Sequence, residues 1–180
     1  MVIVSFLLSV TFSYTSSAAL TRADLVVSIT VLLVFVLIGV LFDIIGVAAT
    51  SANIATFHSM AARKVKGAKD GIWLIRNAER VASFCNDVVG DICGIMSGST
   101  SALITAELVS LCSGSRILSV VLPLVVTGLA ASLTIGGKAL GKTVAVNQSD
   151  SVVFFAGRVL YYMKRFFGRR DELHAALPFI

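Results

Sequence analysis

Apolar residues in this chain are gathered into long blocks separated by short polar stretches, instead of recurring every three or four positions as on a soluble helix. The most continuous block covers residues 25–50 and contains a single charge, Asp43. About 20 such residues cross a bilayer, so the block predicts a membrane helix with some tilt. A second candidate span covers 81–111, with Glu107 near its far end. A third, 117–137, is uncharged, and its Pro123 and Gly128 are residues that membrane helices accommodate. Residues 1–20 carry no charge either. They lack the basic stretch that opens a secretory signal and are rich in Ser and Thr from Thr11 to Ser17. Segment 1–22 therefore reads as a short first membrane helix or as a signal-like leader.

The polar stretches have a different grammar. In 51–81, six basic residues (Arg63, Lys64, Lys66, Lys69, Arg76 and Arg80) face two acids, Asp70 and Glu79. The pattern predicts short helices over 54–65 and 68–75, broken near Gly67 and Gly71, with Phe57, Met60, Ile72 and Trp73 on the membrane surface and the lysines reaching to water. In 151–167, Val152, Phe155, Val159, Tyr162 and Phe166 recur at helical spacing among Arg158, Lys164 and Arg165. That segment fits an interfacial amphipathic helix better than a span. The links at 21–24 and 112–116 carry one arginine each, whereas 51–81 and the residues after Lys138 are rich in Lys and Arg. The positive-inside bias then places 51–81 and the C-terminus in the cytoplasm of a multi-pass plasma-membrane protein. The expected organisation is an N-terminal apolar segment (1–22), a transmembrane domain (23–150), and an interfacial helix with its tail (151–180).

Composition supports this fold class. Of all residues 57% are hydrophobic and 14% charged, against about 25% charged in ordinary globular domains. Mean hydropathy is +0.93. The predicted fold is therefore all-α and membrane-embedded: three spans, a fourth in the first reading of segment 1–22, and amphipathic juxtamembrane helices. A net charge of +5 raises nucleic acid as a partner, but the cations flank apolar blocks without aromatic interleaving, so the expected partner is the lipid bilayer and no nucleic acid. Cys85, Cys93 and Cys112 form no disulfide framework or metal spacing and read as buried small hydrophobes. His58 and His174 are isolated. No catalytic set is present, and no enzyme or resident cofactor is expected. The stretch Gly136–Thr143 imitates a phosphate loop, but Gly137 and Gly141 are four apart where five are needed. No strand precedes it.

Two features coincide in the second span. Ala82, Asn86, Gly90, Gly94, Gly98 and Ala102 recur every fourth position, which makes one smooth helix face suited to packing another span or a second protomer. Beside it lie Asp87 and Asp91, one turn apart. With the orientation above, Asp43, Asp87, Asp91, Asn86 and Lys138 share one inner-leaflet layer. Each unpaired charge there costs at least ~2.5 kcal/mol. Carboxylate and amide oxygens are the ligands that Mg²⁺ or Na⁺ take, so a cation path is one reading. A buried ion-pair network, with Lys138 and Lys142 neutralising the aspartates, is the other.

The order of pieces over residues 25–167 resembles the transmembrane domain of the CorB/CorC and cyclin-M (CNNM) family, associated with Mg²⁺ and Co²⁺ transport or efflux. The residues that carry the resemblance are Phe42-Asp-Ile-Ile-Gly-Val-Ala-Ala-Thr-Ser51, Ala61-Ala-Arg-Lys-Val-Lys-Gly-Ala-Lys69 leading to Leu74-Ile-Arg-Asn-Ala-Glu-Arg80, Asn86, and Ile135-Gly-Gly-Lys-Ala-Leu-Gly-Lys142. The resemblance implies a homodimer of three-helix protomers, a cytoplasmic belt of juxtamembrane helices and an ion site between the spans. The family's Ser-Glu pair falls at Ile45-Gly46, its last-span glutamate at Gly137 and its proline at Gly141, so Asn86 alone of the usual ion-binding side chains is kept. The chain ends where the family's CBS pair begins, which implies no nucleotide-dependent control in cis. Two expectations follow. Either Asp43, Asp87 and Asp91 rebuild a cation site with Asn86, or the Lys138 ammonium replaces the cation and the protein is a non-transporting scaffold or interaction module.

Overall fold

The computed structural model describes residues 10–11, 25–111 and 116–166. Segment 1–22 (Val10 and Thr11 apart), Cys112 and the tail with His174 lie outside the described residues. Everything described as regular structure is helical: α1 (Leu25–Ser51), α2 (Ile54–Ala62), α3 (Ala68–Arg76), α4 (Ala78–Ser83), a π-helical turn (Phe84–Val89), α5 (Gly90–Leu111), α6 (Arg116–Asn147) and α7 (Ser149–Phe166). Three stretches are long and apolar enough to cross a membrane: Leu25–Ser51, Ala78–Leu111 and Ile117–Asn147. Their positions match the three apolar blocks. The third continues past Gly137, so Gly136–Thr143 is helix and not a phosphate-binding loop. Inside it Thr127 donates its hydroxyl to the Pro123 carbonyl at 2.6 Å, next to the kink-prone proline.

By internal packing the chain divides into two compact units, Met1–Leu41 with Val88–Ala139, and Phe42–Asp87 with Leu140–Ile180. In the first, the spanning unit, α1 turns Ser28, Leu32, Val36 and Gly39 inward at three- and four-residue steps. A Cβ on Gly39 would stand 3.2 Å from the Cys93 Cβ, and one on Gly137 would stand 3.0 Å from the Val40 Cγ2, so both glycines mark close helix approaches. The inward face of α5 holds Cys93, Met96, Ser97, Thr100, Ser101, Ile104 and Thr105. Two of its hydroxyls turn back to the backbone: Thr100 donates to the Met96 carbonyl and Thr105 to that of Ser101, both at 2.8 Å. Such local bonds are how hydroxyls are satisfied where water is absent.

The second, the belt unit, has a small core of Ala48, Phe57, Leu74, Ala145, Val153 and Ala156. Asn53 starts α2 by accepting the Ala55 N–H at 3.0 Å, a side-chain cap on an otherwise orphan donor. Its own N–H donates to Asp150 Oδ1 at 2.8 Å, which ties the start of α2 to the start of α7. Three glycines let α3 and α7 cross without side chains between them. A Cβ on Gly157 would lie 2.7 Å from the Gly67 carbonyl oxygen, and one on Gly71 would lie 2.5 Å from the Phe57 ring. Gly67 holds φ of 89°, in the left-handed region that favours glycine, and a Cβ there would meet the Arg158 backbone at 2.9 Å. Across the same crossing Lys164 pairs with Asp70 at 2.7 Å. The expected short helices are thus both present, the first ending at Ala62 instead of 65 because Lys64, at φ 56°, turns the chain.

Candidate cation site in the belt unit

Asp43 follows Ser28, Leu32, Val36 and Gly39 on the inward stripe of α1 and is only 5% exposed. Gly46 comes one turn later on the same face. Against Gly46 lies Asn86, whose Oδ1 stands 2.9 Å from where a Gly46 Cβ would be, with Ala82 Cα and Cys85 Cβ each at 3.3 Å. The absence of a side chain at Gly46 therefore admits the amide. Asp43 Oδ2 and Asn86 Oδ1 are both buried, and neither has a hydrogen-bond partner among the described residues. A buried acceptor left without a donor costs about 1–3 kcal/mol, more for a charged group. Each such oxygen calls for a proton, a water or a cation.

Asn86 belongs to the π-helical turn Phe84–Val89, which regular α spacing does not anticipate. Single π turns inside long helices are rare and concentrate at functional sites. Asp87, in the same turn, is exposed, and its Oδ2 accepts the Ser83 hydroxyl at 2.5 Å. The other site residues read from the sequence belong to the spanning unit. Asp91 is exposed, Lys138 is half-buried, and the two form no salt bridge among the described residues. Gly90 is half-buried, whereas Gly94 and Gly98 are exposed and have nothing within 4 Å of where a Cβ would stand. Gly94 and Gly98 thus face away from the buried side of α5, and no other part of the described chain lies near them.

The structure thus packs Asn86 on Gly46, one turn along α1 from buried Asp43, and leaves Asp87 exposed. No group of three His, Cys, Asp or Glu is assembled among the described residues, so any cation here would draw on amide oxygen and water as well. Sequence reasoning took Gly46 only as a lost acidic position; its role in admitting Asn86 emerges from the packing. It also passed over the buried hydroxyls Ser28 and Ser101, although the spacing of Ser28 from Leu32, Val36, Gly39 and Asp43 was a readable signal. Ser101 Oγ is a third buried oxygen without a partner among the described residues. No protein family, curated protein or solved structure matches the chain in comparisons with known proteins.

Proposed function

We propose that this chain is a divergent multi-pass membrane protein of the CorB/CorC and CNNM kind that handles divalent cations, with Asp43 and Asn86 as its protein ligands. The observation that carries the reading is that the buried oxygens Asp43 Oδ2 and Asn86 Oδ1 have no hydrogen-bond partner among the described residues. Hard cations such as Mg²⁺ take oxygen ligands and keep several waters, so two protein oxygens are a workable minimum. The exposed cations of 63–69 support a cytoplasmic placement of the belt unit at the plasma membrane.

The test is flux in liposomes containing the purified full chain, with Mg²⁺ or Mn²⁺ as the ion. Asp43→Asn and Asn86→Ala are each expected to lower flux at least tenfold, about 1.4 kcal/mol of lost ion stabilisation. Asp91→Asn is expected to lower it less, since that carboxylate is exposed. A wild-type protein that moves no cation overturns the transport reading. The second reading, a non-transporting interaction module with Lys138 standing in for the cation, is favoured by the outward glycine face at Gly94 and Gly98. Anomalous density from Mn²⁺ beside Asp43 and Asn86 separates the two.

A further inference from the structure

The belt unit carries a second surface that the cation reading does not use. Helix α7 buries Val153, Ala156 and Gly157 against the core and turns the opposite face outward. On that face Phe155 is 68% exposed and Met163 53%, with Val159 and Tyr162 also exposed. These four lie at i, i+4, i+7 and i+8, which is one continuous apolar stripe. No described residue of the belt unit buries them. Along one edge of the stripe runs Arg158, exposed and 5.7 Å from the centre of the Phe154 ring.

Arg158 does not stand alone. The Gly67 approach brings the α2–α3 loop onto the α7 backbone at Arg158. That loop carries exposed Arg63, Lys64 and Lys66, with exposed Val65 between the two lysines. Asp70 pairs with Lys164, and Asp150 accepts the Asn53 N–H. Among the described residues these cations form no salt bridge, and they border an apolar stripe that no described residue of the belt unit covers. In sequence, α7 begins two residues after the end of α6, itself long and apolar enough to cross a membrane.

We propose that this surface seats the anionic phospholipids of the leaflet bordering the belt unit: Phe155, Val159, Tyr162 and Met163 enter the headgroup–acyl boundary, and Arg63, Lys64, Lys66 and Arg158 hold the phosphates. The chemistry is that of an interfacial helix, apolar area for depth and cations for headgroup charge. Gly67 serves it by joining the loop cations to the helix. Val65 adds a small apolar contact inside the basic loop. The surface works independently of Asp43 and Asn86, so failure of the cation reading leaves it standing.

The experiment uses the full chain reconstituted in phosphatidylcholine bilayers containing spin-labelled phosphatidylglycerol or spin-labelled phosphatidylcholine as the probe lipid. The wild type is expected to prefer phosphatidylglycerol several-fold at its perimeter, and high salt should reduce the preference. Each cation at an anionic surface is worth about a fivefold change in association, so Arg63→Gln/Lys64→Gln/Lys66→Gln/Arg158→Gln should remove most of the preference. All four side chains are exposed, which spares the fold, and circular dichroism checks it. The charge-keeping variant Lys64→Arg/Lys66→Arg should retain the preference. In parallel, amide exchange of 149–166 should speed up in Phe155→Ser/Val159→Ser. A wild type without lipid preference, or a preference that survives the fourfold neutralisation, overturns the proposal. So does protection of 63–69 by inorganic phosphate in pure phosphatidylcholine, which would assign the cations to a soluble anion. Protection of α7 that grows with protein-to-lipid ratio overturns it as well, by assigning the apolar stripe to a second copy of the chain.

Discussion

Two sets of glycines in this molecule have opposite fates. Gly67, Gly71 and Gly157 sit where α3 and α7 cross, and a methyl group on any of them would come within 3 Å of another atom. Gly94 and Gly98 on α5, with Gly128 and Gly136 on α6, have nothing within 4 Å. From sequence Gly94 and Gly98 belong to the expected packing face, because they recur in register, whereas Gly67 and Gly71 read as breaks between short helices. Within the single chain the first set makes the close contacts, and the second set is left open for a partner. Closeness between helices is set by what the facing element brings, and a periodic row has no partner until the tertiary fold supplies one. The belt unit is closed by its glycines; the spanning unit leaves its row open.

The contrast is broken most strongly at Gly67. Gly67→Ala adds a clash with the Arg158 backbone to a left-handed φ, and together these are expected to cost about 3 kcal/mol or more. A large fall in the thermal midpoint of the detergent-solubilised protein is the readout, and an unchanged midpoint would show that α3 and α7 are not held as described. Gly157→Ala comes next. Its Cβ meets the Gly67 carbonyl at 2.7 Å with ordinary helical φ, so a loss of about 2 kcal/mol is expected in the same measurement. The smallest effect has the opposite sign. Gly94→Ala or Gly98→Ala should raise stability by about 0.5–1 kcal/mol, the helical gain of alanine over glycine. A fall there, accompanied by loss of an oligomer on size-exclusion chromatography, would mean that a second copy covers the face, and the row would then join the closed class.

Much of this architecture was legible. Apolar blocks of span length and charge-interrupted amphipathic segments report on the solvent that each helix face meets, and that information is local. Asp43 stood out as a candidate for the same reason: it is the one charge in the 25–50 block. What escaped was the sorting of the polar residues. Burial separates Asp43, at 5% exposure, from exposed Asp87 and Asp91, and no property of a carboxylate in sequence says which side of a helix its partners will occupy. The glycine crossing escaped because Gly67 and Gly157 are ninety positions apart. The π turn escaped because Phe84–Val89 has no composition that distinguishes it from ordinary α-helix; only the hydrogen-bond register does.

That turn has a consequence for the whole helix beyond it. A π turn holds one residue more than an α turn, and one residue is about 100° of rotation. Shortening Phe84–Val89 by a single residue would move each later side chain into its neighbour's direction. Gly94, Gly98 and Ala102 would take the places of Cys93, Ser97 and Ser101, which now line the interior. Ser97, Ser101 and Thr105 would move into the places of Met96, Thr100 and Ile104, so the interior would trade Cys93, Met96 and Ile104 for glycine and alanine. A single extra amino acid thus sets the phase of α5, deciding which of its neighbouring side chains meet the interior.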